Sequence, residues 1–394
     1  MLGIPEAATT SATPILDSAV LPSAGRKIHG ALITIFVCSV GALVSSQIVN
    51  ADSDLRLGAG YVLLSWTLAF AFVILIHELG HLIAGWAVGF RFSSFSVGPF
   101  LLHSEYSTLK FRLVRGLPFL GMAGMHVQGV SRMRRRLLIM TIAGPGANFI
   151  SVPVTVLLAN YVFPNIGRSW MSIPAAQFAF LSLLTGMMSL IPMGGISDGA
   201  RISMLLTSYY PARRWMSVAA LGSEQQRGIR PKSWRRSWLH AATYIPDRSY
   251  DDFAANWFAY MVAEDGQDAT LAAIHLEKCL EGAGLTGSYV LDHTALEAAF
   301  FTAWFRKDVP TSGKWVAQVK RPKQLPQLLH LRLQTALSCA RGDFDAGIAR
   351  WREGLDWVDR LPATPSNVRL KGSWLEWQDE IEEQRNQSIS RPVS

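Results

Sequence analysis

The sequence predicts an α-helical membrane protein whose transmembrane half is followed by a water-soluble α-helical domain. Three observations carry this reading. Of 394 residues, 49% are hydrophobic and only 17% charged, where soluble domains carry about 25% charge. The charges are unevenly spread: residues 1–210 hold 13 Lys+Arg and 7 Asp+Glu, and residues 211–394 hold 24 and 22. The front half also contains four apolar runs near or above the ~20 residues that span hydrocarbon.

Residues 1–28, rich in Ala, Ser, Thr and Pro, are expected to be a disordered cytoplasmic N-terminus. The first apolar run, 29–49, follows Arg26 and Lys27. It is long for a signal peptide and begins late, so a retained span is the preferred reading. The second run covers 58–90, the third 137–163 and the fourth 173–206, which makes 29–206 a domain of about four transmembrane helices. Between the second and third runs, Phe95–Leu102 and Leu109–Val114 look like short strands, punctuated by Gly98-Pro99 and Gly116-Leu117-Pro118. They suggest a small membrane-associated β element.

Orientation follows from the loops. Basic residues gather at Arg26 and Lys27, throughout 91–136, and behind 206, whereas 51–57 and 164–171 carry just Arg56 and Arg168. The positive-inside rule then places both termini and the 91–136 connection in the cytoplasm, in a multi-pass protein of a bacterial cell membrane. Because the net charge of +8 is concentrated beside the spans, it reads as an orientation signal rather than a phosphate-binding surface, and no nucleic acid partner is expected.

Behind a basic linker, 207–233, the period becomes helical over 234–386, and 387–394 is expected to be a disordered tail. Asp251–Ala263, Ala269–Glu281, Val290–Phe305, Leu325–Ala340, Asp345–Leu361 and Ser373–Arg385 read as helices, separated by breakers such as Gly282-Ala283-Gly284, Pro310 and Gly342. Arg341–Ala349 resembles the turn of a tetratricopeptide repeat without meeting the full pattern. Tetratricopeptide-like stacking and a generic α-helical domain both stay open. Cys38, Cys279 and Cys339 form no CxxC motif, suit a reducing compartment, and are expected to be buried thiols.

The chemistry is concentrated at His77-Glu78-Leu79-Gly80-His81, inside the second run. Residues i and i+4 share a helix face, so both imidazoles can reach one metal ion while Glu78 sits near enough to take a proton from water. Ionisable groups in a span are costly without a partner, and zinc suits this spacing. Two histidines need a third ligand. Asp198 is the only acidic residue between Glu105 and Glu224, and Pro192 with Gly194-Gly195 should break the helix beside it. Its competing role is a pair with Arg201.

On these residues the chain resembles the site-2 protease family of intramembrane zinc metallopeptidases, over roughly 60–205. That family carries H-E-x-x-H in one core helix and a Pro-rich segment ending in Asp-Gly in a later one. The resemblance implies His77, His81 and Asp198 as ligands of one Zn2+ per chain and Glu78 as catalytic base. Ala143-Gly144-Pro145-Gly146-Ala147-Asn148 resembles a further family segment; Asn148 reads first as interhelical packing, with positioning of substrate or hydroxide as its other role. Ser189, Gly194 and Gly195 depart from the family pattern, so substrate binding around Gly194 and Gly195 is expected to differ.

The function expected from this set is zinc-dependent hydrolysis of a peptide bond in a membrane-embedded protein substrate, with membrane lipid around the core and a protein partner for the helical domain. The alternative is a non-proteolytic membrane adaptor that keeps the metal site and binds a partner through its tail. A metal transporter fits less well, because no chain of polar residues crosses the other spans.

Overall fold

The computed structural model describes residues 15–19, 59–113, 121–166, 171–193, 197–284 and 288–390. The chain opens with a single turn, α1 (Ile15–Ser18). A long helix, α2 (Ala59–Ala87), leads into four strands, β1 (Arg91–Val97), β2 (Phe100–Glu105), β3 (Thr108–Leu113) and β4 (Gly121–His126). Two further apolar helices follow, α3 (Met133–Leu157), continued by a π turn to Val162, and α4 (Ser172–Leu190).

Among the described residues three helices are long and apolar enough to cross a membrane: Leu63–Ala87, Met133–Val162 and Ser172–Leu190. They support a multi-pass membrane protein. They pack on one another, with Trp66, Ala69, Val73 and Leu181 buried between α2 and α4. Leu64, Leu68, Phe72 and Ile83 are exposed on α2, as a lipid-facing surface requires.

These three helices fall on the second, third and fourth expected runs, and the extent of the fourth is corrected. The run read as one span, 173–206, is two helices, α4 and α5 (Asp198–Thr207). The break is made by Pro192 and by Ser197, whose side chain accepts from the Ala200 N–H and caps the new helix. The first run, 29–49, lies outside the described residues.

The sheet is antiparallel, in the order β3-β2-β1-β4. What reads as a single strand over 95–102 is folded back on itself at Gly98-Pro99, where Gly98 has φ +56° and Val97 pairs with Phe100. The second hairpin closes at Tyr106-Ser107 with φ 49° and 64°. Two non-glycine residues in the left-handed region are strained, and contacts from the tail hold them. Asn367 Nδ2 donates to the Tyr106 carbonyl at 2.8 Å, and the Tyr106 ring meets Trp357 edge to face at 5.0 Å. Burial there pushes the Tyr106 hydroxyl well above its ordinary pKa.

Most of the stretch read as a linker is helical: α6 (Tyr209–Gln226) buries Ala212, Leu221 and Arg214. The tail continues through α7 (Arg236–Thr243), α8 (Tyr250–Asp265), α9 (Ala269–Ala283), α10 (Ser288–Trp304), α11 (Val309–Gln318), α12 (Gln327–Ala340), α13 (Phe344–Asp359) and α14 (Pro365–Ser390). α11 was hidden in the sequence because Pro310 reads as a breaker. It stands in the first turn, where its missing N–H is not needed. α8 with α9, α10 with α11 and α12 with α13 pack as hairpins. α13 and α14 are joined by reciprocal bonds, Trp351 Nε1 to the Trp374 carbonyl at 2.8 Å and Trp374 Nε1 to the Trp351 carbonyl at 2.9 Å.

Two expected disordered stretches are partly ordered. Residues 15–19 dock against the tail, and α14 runs on to Ser390. Cys279 and Cys339 are buried free thiols, as expected; Cys38 lies outside the described residues.

Candidate metal centre

Four residues are slightly more than one helical turn, so α2 turns His77 and His81 to the same side. Their rings stand edge to face, and their Nε2 atoms are 3.3 Å apart. Asp198, first residue of α5, reaches both: Oδ2 lies 2.9 Å from His77 Nε2 and Oδ1 lies 3.3 Å from His81 Nε2. The three ligand atoms fall within 4.8 Å of one another. His77, Glu78 and His81 are each only 8% exposed. The cluster is capable of holding a metal ion.

The donor set fits such an ion. His81 Nδ1 is 2.8 Å from the Met140 carbonyl, and a carbonyl only accepts. Nδ1 therefore carries the proton and Nε2 keeps its lone pair for a ligand role. Asn148, wholly buried, places its amide nitrogen 3.2 Å from His77 Nδ1, while its oxygen finds no partner among the described residues. Turning the amide over lets Oδ1 accept from His77 Nδ1–H. That leaves His77 Nε2, like its neighbour, a bare lone pair facing a carboxylate. Separations of about 3.3 Å are also what ligands about 2.0–2.1 Å from a tetrahedral zinc would show.

Local packing explains why the helices can come this close. A Cβ on Gly144 would stand 2.2 Å from His81 Nε2, and one on Gly80 would stand 2.4 Å from the Ala143 carbonyl oxygen. Glycine at both positions lets α2 and α3 meet around the imidazoles. A Cβ on Gly199 would lie 1.8 Å from the Leu190 carbonyl oxygen, so the residue after Asp198 must be small for α5 to start against the end of α4. Ser197 Oγ donates to the Ile191 carbonyl at 2.8 Å and ties the break together. Arg201 does not pair with Asp198; it turns to the tail and binds Asp251.

Glu78 lies beside the cluster and under β4. A Cβ on Gly121 would come 2.6 Å from Glu78 Oε1, and the backbone amide of Ala123 faces its carboxylate. Reading the sequence missed Ser197 and the β4 approach; Gly144 stands out in it as a point of close helix approach, but not as the residue that meets His81. A serine directly before Asp198 and α5 is a capping signal that could have been found. The Gly144-Pro145-Gly146 run marks a close approach of helices, but its partner His81, 63 residues earlier, leaves no local trace. Gly194 and Gly195 lie outside the described residues.

Residues 65–172 match peptidase family M50. The matched stretch contains His77, Glu78, His81 and Asn148 and ends before Asp198, so the third member of the cluster rests on the structure. The chain is also 42% identical over 67 residues to a Chlamydia trachomatis serovar D (strain ATCC VR-885 / DSM 19411 / UW-3/Cx) protein described as a "Putative zinc metalloprotease". That similarity takes in 16% of this chain and 10% of the relative's length. No solved structure matches. A stretch similar to a metallopeptidase family thus coincides with a His/His/Asp cluster that could hold a metal ion among apolar helices, and the helical tail lies beyond the matched stretch.

Proposed function

We propose that this chain is an intramembrane zinc metallopeptidase that hydrolyses a peptide bond of a membrane-embedded protein substrate. The observation that carries the reading is the convergence of His77, His81 and Asp198 beside Glu78 within apolar helices. Two imidazoles and one carboxylate are the three protein ligands that a catalytic zinc site carries, and such a set would hold the ion with a position left for water. Zinc bound there supplies Lewis-acid polarisation of the scissile carbonyl and an acidified water.

The chain's own residues do the rest. Glu78 takes the proton from the attacking water and returns it to the leaving amine. Met140 and Asn148 fix the two imidazoles in the tautomer that offers Nε2. β4 is an edge of the sheet and passes over Glu78. A substrate helix unwound into an added strand along that edge would present its carbonyl to the centre. The reading places both termini on the cytoplasmic side and surrounds the spans with lipid.

The test is Glu78→Gln, which keeps the shape of the side chain and removes its basicity. Zinc should remain bound. Cleavage should fall by about 10²–10⁴-fold, seen as uncleaved membrane proteins in a comparison of membrane fragments. A wild-type fragment pattern from the Glu78→Gln chain, together with loss of function on removing the tail, would replace the protease by the adaptor.

A further inference from the structure

The tail grips a short piece of the chain's own N-terminus, and it does so by contacts that read a peptide. α1 lies on α9, and Leu16 and Ala19, 1% and 2% exposed, join the apolar cluster that includes Leu276, Phe301 and Trp315. The Glu277 carboxylate accepts from the backbone N–H groups of both Ile15 and Leu16, the latter at 2.8 Å. Trp315, itself wholly buried, donates from its indole nitrogen to the Leu16 carbonyl at 3.0 Å. Arg306, just ahead of α11, pairs with Asp17. Backbone donors, a backbone acceptor, one aliphatic side chain and one acidic side chain are each met by a different tail residue.

A single turn is far too short to be stable alone, since helix nucleation is unfavourable. The groove therefore supplies the conformation of α1. In sequence, Ile15-Leu16-Asp17 combines two large aliphatic residues with an acid directly behind them, in a stretch otherwise rich in Ala, Ser, Thr and Pro that also holds Val20 and Leu21.

We propose that the groove bounded by α9, α10 and α11 is a peptide-binding site, held in cis by residues 15–19. A partner segment of the same chemistry, a large aliphatic residue followed by Asp or Glu in one helical turn, takes it in trans when the N-terminal segment leaves. The inference is independent of the metal centre. Tethering decides the competition: at an effective concentration on the order of 1 mM, a segment with an intrinsic Kd on the order of 10–100 µM lowers a free competitor's apparent affinity by about 10–100-fold.

The experiment uses the full chain in detergent and a fluorescent peptide of residues 12–22. Leu16→Asp in the chain empties the groove without touching the metal centre. The peptide should bind that chain at least about 10-fold more tightly than wild type, and the same peptide carrying Leu16→Asp should bind neither. Adding Glu277→Gln to the Leu16→Asp chain should weaken the peptide several-fold. Equal binding by both chains, equal binding of a scrambled peptide, or no binding to a Leu16→Asp chain with an unchanged melting profile would each overturn the site. Hydrogen exchange on the wild-type fold keeps the test decisive if Leu16→Asp does not fold. Glu277→Gln alone should speed exchange at residues 15–17, and unchanged exchange there would also overturn it.

Discussion

Arg201 and Asp251 join the two halves of the molecule by a two-pronged ion pair, Nη1 to Oδ2 at 2.5 Å and Nη2 to Oδ1 at 2.8 Å. Arg201 lies three residues after Asp198 on α5, and Asp251 stands in the first turn of α8 of the tail. Both side chains are largely buried, and Arg214 approaches the same carboxylate at 3.9 Å. The tail thus holds the helix that delivers the third ligand of the candidate centre.

Asp251→Asn should therefore loosen a metal ion it never touches. Removing the charge leaves Arg201 buried without its partner, which typically costs about 3–5 kcal/mol of stability. Because the pair orients a ligand helix, zinc affinity should fall by about 10-fold, the lower end of what supporting residues contribute. Competition with a chelator, well below the unfolding transition, measures this. Affinity equal to wild type would show that α5 is held by its own cap and by α4.

The contact between Gly144 and His81 gives a sharper comparison within one helix. Gly144→Ala puts a methyl group where the imidazole stands, whereas a Cβ on Gly146 meets nothing within 4 Å. Zinc content should drop in the Gly144→Ala chain and stay at the wild-type level in Gly146→Ala. A loss in both would point to general damage of α3.

How much of this was readable beforehand divides by range. The spacing of His77 and His81, the acid they need at Asp198, and the helix break before it are local patterns, and the sequence carries them openly. Asn148 is equally visible, yet its place at His77 Nδ1 depends on how α3 meets α2, so packing was the fair first reading. Arg201 finds its partner 50 residues away in a domain with no recognisable repeat, and no local rule separates Asp251 from Asp252 or Asp247. The fourth apolar run was drawn too long for a physical reason: composition measures whether a stretch can lie in lipid, not where its helix stops, and α4 ends at Leu190 although the apolar composition runs on to Leu206.

The tail has a pH dependence of its own. Burial, with the carboxylates of Glu264 and Glu376 nearby, raises Glu380 to about 7 from an ordinary value near 4.5. Between those two values the folded chain keeps a proton that the unfolded chain has released, so stability falls as pH rises from about 4.5 through about 7. Glu380→Gln removes that cost. Its melting temperature should exceed wild type at pH 8 and converge with it at pH 4.5. An identical difference at both pH values would remove ionisation as the cause.

The proposed orientation can be read with reporters. The sheet and the tail touch at Tyr106 and Trp357, so they share one side of the span bundle. A reporter fused after residue 230 should be cytoplasmic, and one placed within 164–171 should lie outside. An external signal from the first fusion would reverse the arrangement.

The strained turn at Tyr106-Ser107 has a geometric consequence for cleavage. One end of the β2–β3 hairpin is pinned into the tail by Asn367 and Trp357, and β4 belongs to the same hydrogen-bonded sheet. The sheet cannot shift relative to the spans without dragging the helical domain along. On the proposed reading, the tail acts as a ruler: it fixes the depth of β4, and with it how many residues from the membrane surface a substrate is cut.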